Sequence, residues 1–132
     1  MTGKMGFTGT RQGMSERQKN AVWNLLKKLH PSEFHHGDCV GADKEAHDLV
    51  REMVPSCKII VHPANILGMS AGCIADVYMP TKDPLERNKD IVNSCQLLVA
   101  TPATDLEVLR SGTWMTIRYA RREGCFTMII ER

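Results

Sequence analysis

Short, mostly apolar runs separated by longer amphipathic stretches predict a chain in which strands alternate with helices. Glycine, proline or polar residues bound each run, as is typical of buried strands. The longer stretches carry apolar residues every three or four positions, which is the helical period. The predicted strands are Met5–Thr8, Glu33–His36, Lys58–Val61, Leu97–Pro102 and Phe126–Ile130.

The first two helices are predicted from their boundaries as well as from their period. Ser15 and Gln18 form a capping box for a helix that should reach about His30. The second helix should begin after Gly41 and end at Pro55, because proline cannot continue a helix.

The last two helices have equally clear start signals. Asp83 is a good N-cap, and Pro84 after it suits the first helical position, so a helix is expected up to about Cys95. Ser111 is the N-cap of a helix that should stop at Gly124. The segment 62–82 has no clean period, and we expect a long loop there with one helical turn near 71–76.

This element order predicts an α/β fold, a Rossmann-like doubly wound parallel sheet of about five strands with helices on both faces. The predicted strand order is 3-2-1-4-5, and residues 1–132 are expected to form a single domain. In this order the first and fourth strands are neighbours at the point where the winding reverses. Ligands of such sheets bind outside the carboxyl ends of the strands at this point.

The composition limits the classes of partner that we expect. The formal net charge is +2 and no basic block occurs, so a nucleic-acid partner is not expected. No apolar run approaches the roughly 20 residues that span a bilayer, so a membrane partner is not expected. Five cysteines without a C-x-x-C pair indicate reduced thiols, and the N-terminus runs straight into a strand without a signal peptide. Both observations favour a cytoplasmic protein.

Two glycine-containing loops follow the first two strands. Residues 9–13, Gly-Thr-Arg-Gln-Gly, lack the fingerprints of dinucleotide-binding and P-loop motifs, and an ordinary turn is an equal alternative. Arg11 favours an anion there, since a guanidinium binds phosphate or carboxylate bidentately. In residues 37–43, Gly37 and Gly41 flank Asp38 and precede Ala42-Asp43. Either aspartate suits ribose hydroxyls, with helix capping as the alternative.

The start of the last helix is the strongest candidate for anion binding. Ser111, Gly112 and Thr113 follow the strand that ends at Pro102, so free N–H groups should face the carboxyl edge of the sheet. The predicted pocket therefore holds a nucleotide-like molecule between this helix start and residues 9–13.

Other candidate residues lie at the same edge. Arg87-Asn88 occupies the first turns of a helix, where an arginine gains nothing from the helix dipole, and contact with a phosphate or a base is the favoured role over a solvated side chain. His62-Pro63 ends the third strand, and a ligand contact and a plain loop role are equally supported there.

Neither a metal site nor a cofactor is expected. His35 and His36 are adjacent in a strand, so their side chains point to opposite faces and cannot chelate one metal ion. Trp114 is expected in the core, with a stacking or lid role as the alternative. An apolar patch of Trp114, Met115 and Tyr119 would suit a homo-oligomer.

Together these motifs resemble the SLOG superfamily, and more narrowly its small stand-alone YspA-like members (the DUF2493 type), over essentially the whole chain. The resemblance implies a Rossmann-like fold that binds nucleotide-derived molecules. Its relatives include LOG-type phosphoribohydrolases (the lysine decarboxylase-like proteins), the DNA-processing protein DprA and sensors of NAD-derived signals in anti-phage systems. The matching motifs are Gly9–Arg11, His36–Asp38, Gly41–Asp43, His62-Pro63, Arg87-Asn88, Pro102 and Ser111–Thr116.

One departure bears on catalysis. The phosphoribohydrolases place a catalytic glutamate three residues after the threonine of their Gly-Thr pair, where this chain has Thr116. A threonine cannot stabilise a ribosyl cation as a carboxylate does. Glu107 lies nearby in sequence and is considered as a substitute, although nothing in the spacing identifies it as one. We therefore expect a sensor or sequestering protein for a phosphorylated, ribose-containing ligand, with an N-ribosyl hydrolase as the alternative.

Overall fold

The computed structural model describes residues 3–132, which form six strands and four helices. The strands are β1 (Lys4–Gly9), β2 (Glu33–His36), β3 (Lys58–Val61), β4 (Val77–Tyr78), β5 (Leu97–Thr101) and β6 (Phe126–Ile129). The helices are α1 (Glu16–Leu29), α2 (Ala42–Met53), α3 (Pro84–Asn93) and α4 (Gly112–Arg122). The predicted capping box is present, because Ser15 Oγ accepts from the Gln18 N–H and the Gln18 side chain accepts from the Ser15 N–H.

All six strands form one parallel sheet in the order β4-β3-β2-β1-β5-β6. The five predicted strands stand in the predicted order, and β4 adds a sixth strand at one edge. The Rossmann-like α/β prediction is therefore confirmed.

Helices cover both faces of this sheet, as the pattern predicted. Val99 belongs to the core that α1 and α2 pack against, whereas its neighbour Leu98 packs with α3 and α4. Adjacent residues in a strand point to opposite faces, so the two pairs of helices lie on opposite sides. No helix of the described residues is long and apolar enough to cross a membrane.

The segment between β3 and α3 differs from the prediction. No helical turn forms at residues 71–76, and the short strand β4 follows instead. A helical turn at residues 71–76 would need the Ala75 and Asp76 N–H groups to donate to carbonyl oxygens four residues earlier. The Ala75 N–H donates instead to the Tyr78 hydroxyl, and the Asp76 N–H donates to the carbonyl oxygen of Ile59 in β3. α3 also ends at Asn93, two residues before the predicted Cys95.

Candidate functional site

A cleft of about 540 Å³ lies at the carboxyl end of the central strands. Its walls come from the loop after β1, the loop after β2, the first turns of α3, and the segment from the end of β5 into α4. This is the edge where the winding of a doubly wound sheet reverses and where such sheets bind ligands.

The loop after β1 is fixed from both sides. The Thr10 N–H donates to the carbonyl oxygen of Thr101 at 3.1 Å, and the Ala42 N–H donates to the carbonyl oxygen of Thr10 at 3.0 Å. Gly41 makes the second contact possible, because it adopts φ 91° and a Cβ there would overlap the backbone of Arg11. The loop is thereby held while the Arg11 side chain stays exposed at the mouth of the cleft.

The loop after β2 is organised around the carboxylate of Asp43. One of its oxygens, Oδ2, accepts from the Gly37 N–H at 3.2 Å and from the Cys39 N–H at 3.1 Å. Burial raises the pKa of Asp43 to about 6, against the opposing effect of these hydrogen bonds and of Arg87. Asp43 thus fixes the loop, and it also lines the cleft.

Arg87 is 5 % exposed and forms part of the cleft floor. Its Nη1 donates to the carbonyl oxygens of Gly37 at 2.7 Å and His62 at 3.0 Å, and its Nε donates to Asn88 Oδ1 at 2.8 Å. Nη2 faces the sulfur of Cys39 at 3.6 Å. The guanidinium joins the ends of β2 and β3 to α3 and keeps a positive charge beside the cleft.

The start of α4 forms the opposite wall. Ser111 Oγ accepts from the Trp114 N–H at 3.2 Å, as expected of an N-cap. The amides of Gly112 and Thr113 belong to the first turn, which has no acceptors within its own helix. Gly112 faces open space, since a Cβ on it would meet no heavy atom within 4 Å. Both bends on which the sequence prediction depends therefore lie in the same cleft.

Most of the predicted site residues line this cleft. They are Gly9, Thr10, Arg11, Gly37, Asp43, Arg87, Asn88, Ser111, Gly112 and Thr113. Among the residues that the structure describes, the charged side chains of the lining are three arginines and one aspartate.

The other predicted site residues lie outside the lining. Asp38 adopts φ 57° and accepts from Ser70 Oγ and the Cys73 N–H, so it fixes the segment after β3 and does not face the cleft. Burial opposes ionisation of Asp38, but these hydrogen bonds outweigh it and lower its pKa. Gly41 and Ala42 support the cleft from behind.

Four more of the predicted site residues lie outside the cleft lining, and they are His62, Pro63, Pro102 and Thr116. His62 is 2 % exposed and its Nε2 lies 2.8 Å from His35 Nδ1. Pro63 lines a separate hollow of about 70 Å³. The Pro102 carbonyl oxygen accepts from Gln18 Nε2. Thr116 Oγ1 donates to the carbonyl oxygen of Gly112 at 2.9 Å, a bond within α4.

Glu107, considered as a substitute carboxylate, is also outside the lining. Its Oε2 accepts from Arg118 Nη1 at 2.7 Å on the surface, and 47 % of its side chain is exposed. Trp114 is 5 % exposed and packs with Ile117, which removes it from the predicted surface patch and from a stacking or lid role.

Five polar residues of the lining were not among the predicted site residues, and they are Thr8, Gln12, Cys39, Thr104 and Arg110. Cys39 belongs to the glycine-containing loop after β2, and Arg110 directly precedes the N-cap Ser111. The position of Arg110 beside a predicted anion-binding helix start was the available signal. Apolar residues such as Leu85 and Val108 complete the wall, and no sequence pattern distinguished them from ordinary surface positions.

A cluster of His36, His47 and Cys73 has donor atoms within 4.8 Å of one another, but its hydrogen bonds do not suit a metal ion. The Asp38 N–H donates to His36 Nδ1 at 2.9 Å, so the neutral ring carries its proton on Nε2. That Nε2–H in turn donates to His47 Nδ1 at 3.0 Å. A metal ion at these two nitrogens would require the His36 proton on Nδ1, where it would oppose the Asp38 N–H.

Solved structures with the same fold were found by comparison. The molybdenum cofactor binding protein from Rippkaea orientalis matches with TM-score 0.70 and 14 % identity over 100 % of this chain and 78 % of that chain. The structural-genomics target TM1055 matches with TM-score 0.68 and 14 % identity over 95 % and 72 % of the two chains. DNA processing protein A (DprA) from Streptococcus pneumoniae matches with TM-score 0.67 and 17 % identity over 97 % and 50 %.

No protein-family model matches the chain, and no curated protein matches it. At the identities of the solved structures, the likeness establishes a shared fold. The chain is therefore similar to these proteins in architecture, and its chemistry must be argued from its own cleft.

Proposed function

We propose that this chain is a small YspA-like member of the SLOG superfamily and binds a phosphorylated, ribose-containing molecule in the cleft. The observation that carries the proposal is that two glycine-containing bends, at Thr10 and at Gly112, line the same 540 Å³ space. Each bend presents backbone to the cleft, and backbone N–H groups at a helix start hold phosphate.

The charges of the lining favour an anionic ligand. Arg11, Arg87 and Arg110 supply positive charge, and Asp43 is the carboxylate among the described lining residues. Arg11 and Arg110 are exposed, so they can reorient around a phosphate, whereas Arg87 is fixed by its contacts. A ligand with one phosphate or a pyrophosphate, such as a nucleotide or an ADP-ribose derivative, would match this charge.

Asp43 is the proposed contact for the ribose. Its Oδ2 holds the loop after β2, and Oδ1 remains to accept from a hydroxyl group of the ligand. This assignment replaces the earlier choice between two aspartates, because Asp38 is committed to the segment after β3.

Hydrolysis of an N-ribosyl bond is the second candidate function. It requires a carboxylate at the anomeric carbon, and Glu107 is paired with Arg118 outside the lining. Asp43 lines the cleft, and its pKa of about 6 lies in the range in which a carboxyl group exchanges protons near neutral pH. Enzymatic turnover would therefore depend on Asp43.

Calorimetric titration with ribose 5-phosphate, AMP and ADP-ribose tests binding, and chromatography of the same mixtures tests release of the base. Saturable binding without released base supports a sensor or sequestering protein. Base release that disappears in Asp43→Asn supports the hydrolase. Absence of binding by every phosphate ester would contradict both.

A further inference from the structure

Cys95 and Cys125 face each other at the edge of the sheet opposite the cleft. Their Sγ atoms are 4.0 Å apart. Cys95 lies between α3 and β5, and Cys125 lies between α4 and β6, so each precedes one of two neighbouring strands. Side-chain rotations that bring the two sulfurs about 2 Å closer would give the S–S distance of a disulfide bond, which is roughly 2.03–2.05 Å.

The surroundings hold the two thiols together without committing them to another role. Cys95 Sγ donates to the carbonyl oxygen of Val92 at 3.4 Å, and Cys125 Sγ to that of Phe126 at 3.5 Å. Gly6 leaves the space that Cys95 occupies, since a Cβ on Gly6 would lie 2.6 Å from Cys95 Sγ. Thiol–carbonyl contacts are weak, so oxidation would give up little.

We propose that Cys95 and Cys125 form a reversible oxidation site, at which a low-molecular-weight disulfide such as glutathione disulfide converts the two thiols into an intramolecular disulfide. This proposal stands on the thiol pair alone and does not depend on the ligand of the cleft.

The exchange has two balanced steps. The thiolate of Cys125 attacks one sulfur of glutathione disulfide, forms a mixed disulfide and releases one glutathione thiolate, which takes up the proton that Cys125 lost. Cys95 then loses its proton and attacks the Cys125 sulfur, and the second glutathione leaves as a thiol. Two protein thiols are oxidised, and one external disulfide is reduced to two thiols.

The order of attack follows from the environment. Burial, followed by the proximity of Cys125, raises the pKa of Cys95 to about 12, which disfavours Cys95 as the first nucleophile. Once Cys125 is in the mixed disulfide it can no longer ionise. One cause of the raised pKa of Cys95 is then removed, which favours the second step.

The bond would join the C-terminal ends of the two helices whose first turns line the cleft. Leu85 and Asn88 on α3, and Gly112 and Thr113 on α4, form part of that lining. The disulfide would also close the segment 95–125 in the unfolded chain, which stabilises the folded state relative to it. We expect the unfolding temperature to rise by roughly 5–10 °C in the oxidised protein.

The proposal is tested by peptide mapping with mass spectrometry under non-reducing conditions, after the folded chain has been equilibrated in glutathione redox buffers. We expect a Cys95–Cys125 crosslink that dithiothreitol reverses, and an unfolding temperature that falls on reduction. Cys125→Ser should remove both effects, whereas Cys39→Ser keeps the pair and should retain them. Free thiols in oxidising buffer, a stable glutathione adduct on Cys125, or a crosslink without a thermal shift would each overturn it.

Discussion

Arg87 donates from Nη1 to the carbonyl oxygen of Gly37 at 2.7 Å. The same nitrogen also bonds the carbonyl oxygen of His62, so one buried cation joins the ends of two strands to a helix. The guanidinium is thus a structural element of the cleft floor as well as a source of charge for a ligand.

Replacing Arg87 should destabilise the fold. Arg87→Met removes the guanidinium donor from two buried carbonyl oxygens and leaves that of Gly37 only the long contact from Cys39 Sγ at 3.9 Å, so we expect the free energy of unfolding to fall by about 3 kcal/mol. Urea denaturation measures this change in the free energy of unfolding. Lys89→Ala on the same helix is the matched control, since its ion pair with Glu86 is exposed and should contribute less than about 1 kcal/mol. Equal losses in the two variants would contradict the role of Arg87.

Alanine should destabilise the fold at one glycine of the cleft and leave its stability nearly unchanged at another. In Gly9→Ala the new Cβ would collide with Thr101 and Ala42, and we expect a loss of roughly 2–3 kcal/mol in the free energy of unfolding. In Gly112→Ala nothing lies within 4 Å, so stability should stay within about 0.5 kcal/mol. Chemical denaturation distinguishes them, and a severe loss in Gly112→Ala would show that α4 starts differently.

Buried neutral histidines should make the protein sensitive to acid. Burial lowers the pKa of His36 to about 3 and that of His62 to about 4, below the ordinary 6.5. The stability that these neutral rings contribute is complete above pH 6.5 and is lost as the pH falls towards the folded-state pKa, which is about 4 for His62 and about 3 for His36. At pH 5 the loss is roughly 2 kcal/mol for each ring.

Protonation of Asp43 stabilises the folded state over part of this pH range, which opposes the effect of the histidines. Its pKa is raised to about 6, so protonation on going from pH 6 towards 4 favours the folded state, by about 1 kcal/mol at pH 5. The loss of stability from the two histidines is larger than this gain. Denaturation curves from pH 7 to pH 5 should therefore show a net loss, and His62→Gln should flatten it by roughly 2 kcal/mol. An unchanged slope in His62→Gln would refute the assignment of His62.

Arg11 should matter for the ligand and not for the fold. Its side chain is exposed at the cleft, so Arg11→Gln should leave the unfolding temperature unchanged and weaken binding of AMP or ADP-ribose by roughly 10- to 100-fold. Arg121→Gln, an exposed arginine at the far end of α4, is the control and should bind normally. Equal affinities would exclude Arg11 from the site.

Much of the architecture could be predicted from local sequence signals. Apolar periodicity, the Ser15–Gln18 capping box and the Asp83-Pro84 helix start predicted the elements, and the winding rule then gave the strand order. The strand β4 was missed because two residues show no period, and its position depends on pairing with β3.

The site was harder to predict because burial and partners decide what a polar residue does. Asp38 and Asp43 looked equivalent in sequence, yet long-range contacts of Asp38 with Ser70 and Cys73 direct it away from the cleft. Thr116 likewise bonds back to Gly112 within α4. Sequence spacing identified the loops that meet, but it did not reveal which side chains in them were already engaged.

Amide resonances during titration with a nucleotide test the central claim most directly. In a ¹H–¹⁵N spectrum, we predict that ADP-ribose shifts the amides of Thr10 and Arg11 together with those of Gly112 and Thr113, along one common saturation curve. Shifts confined to one bend, or amides that stay unchanged at both while ADP-ribose binds elsewhere, would contradict an anion held between the two bends.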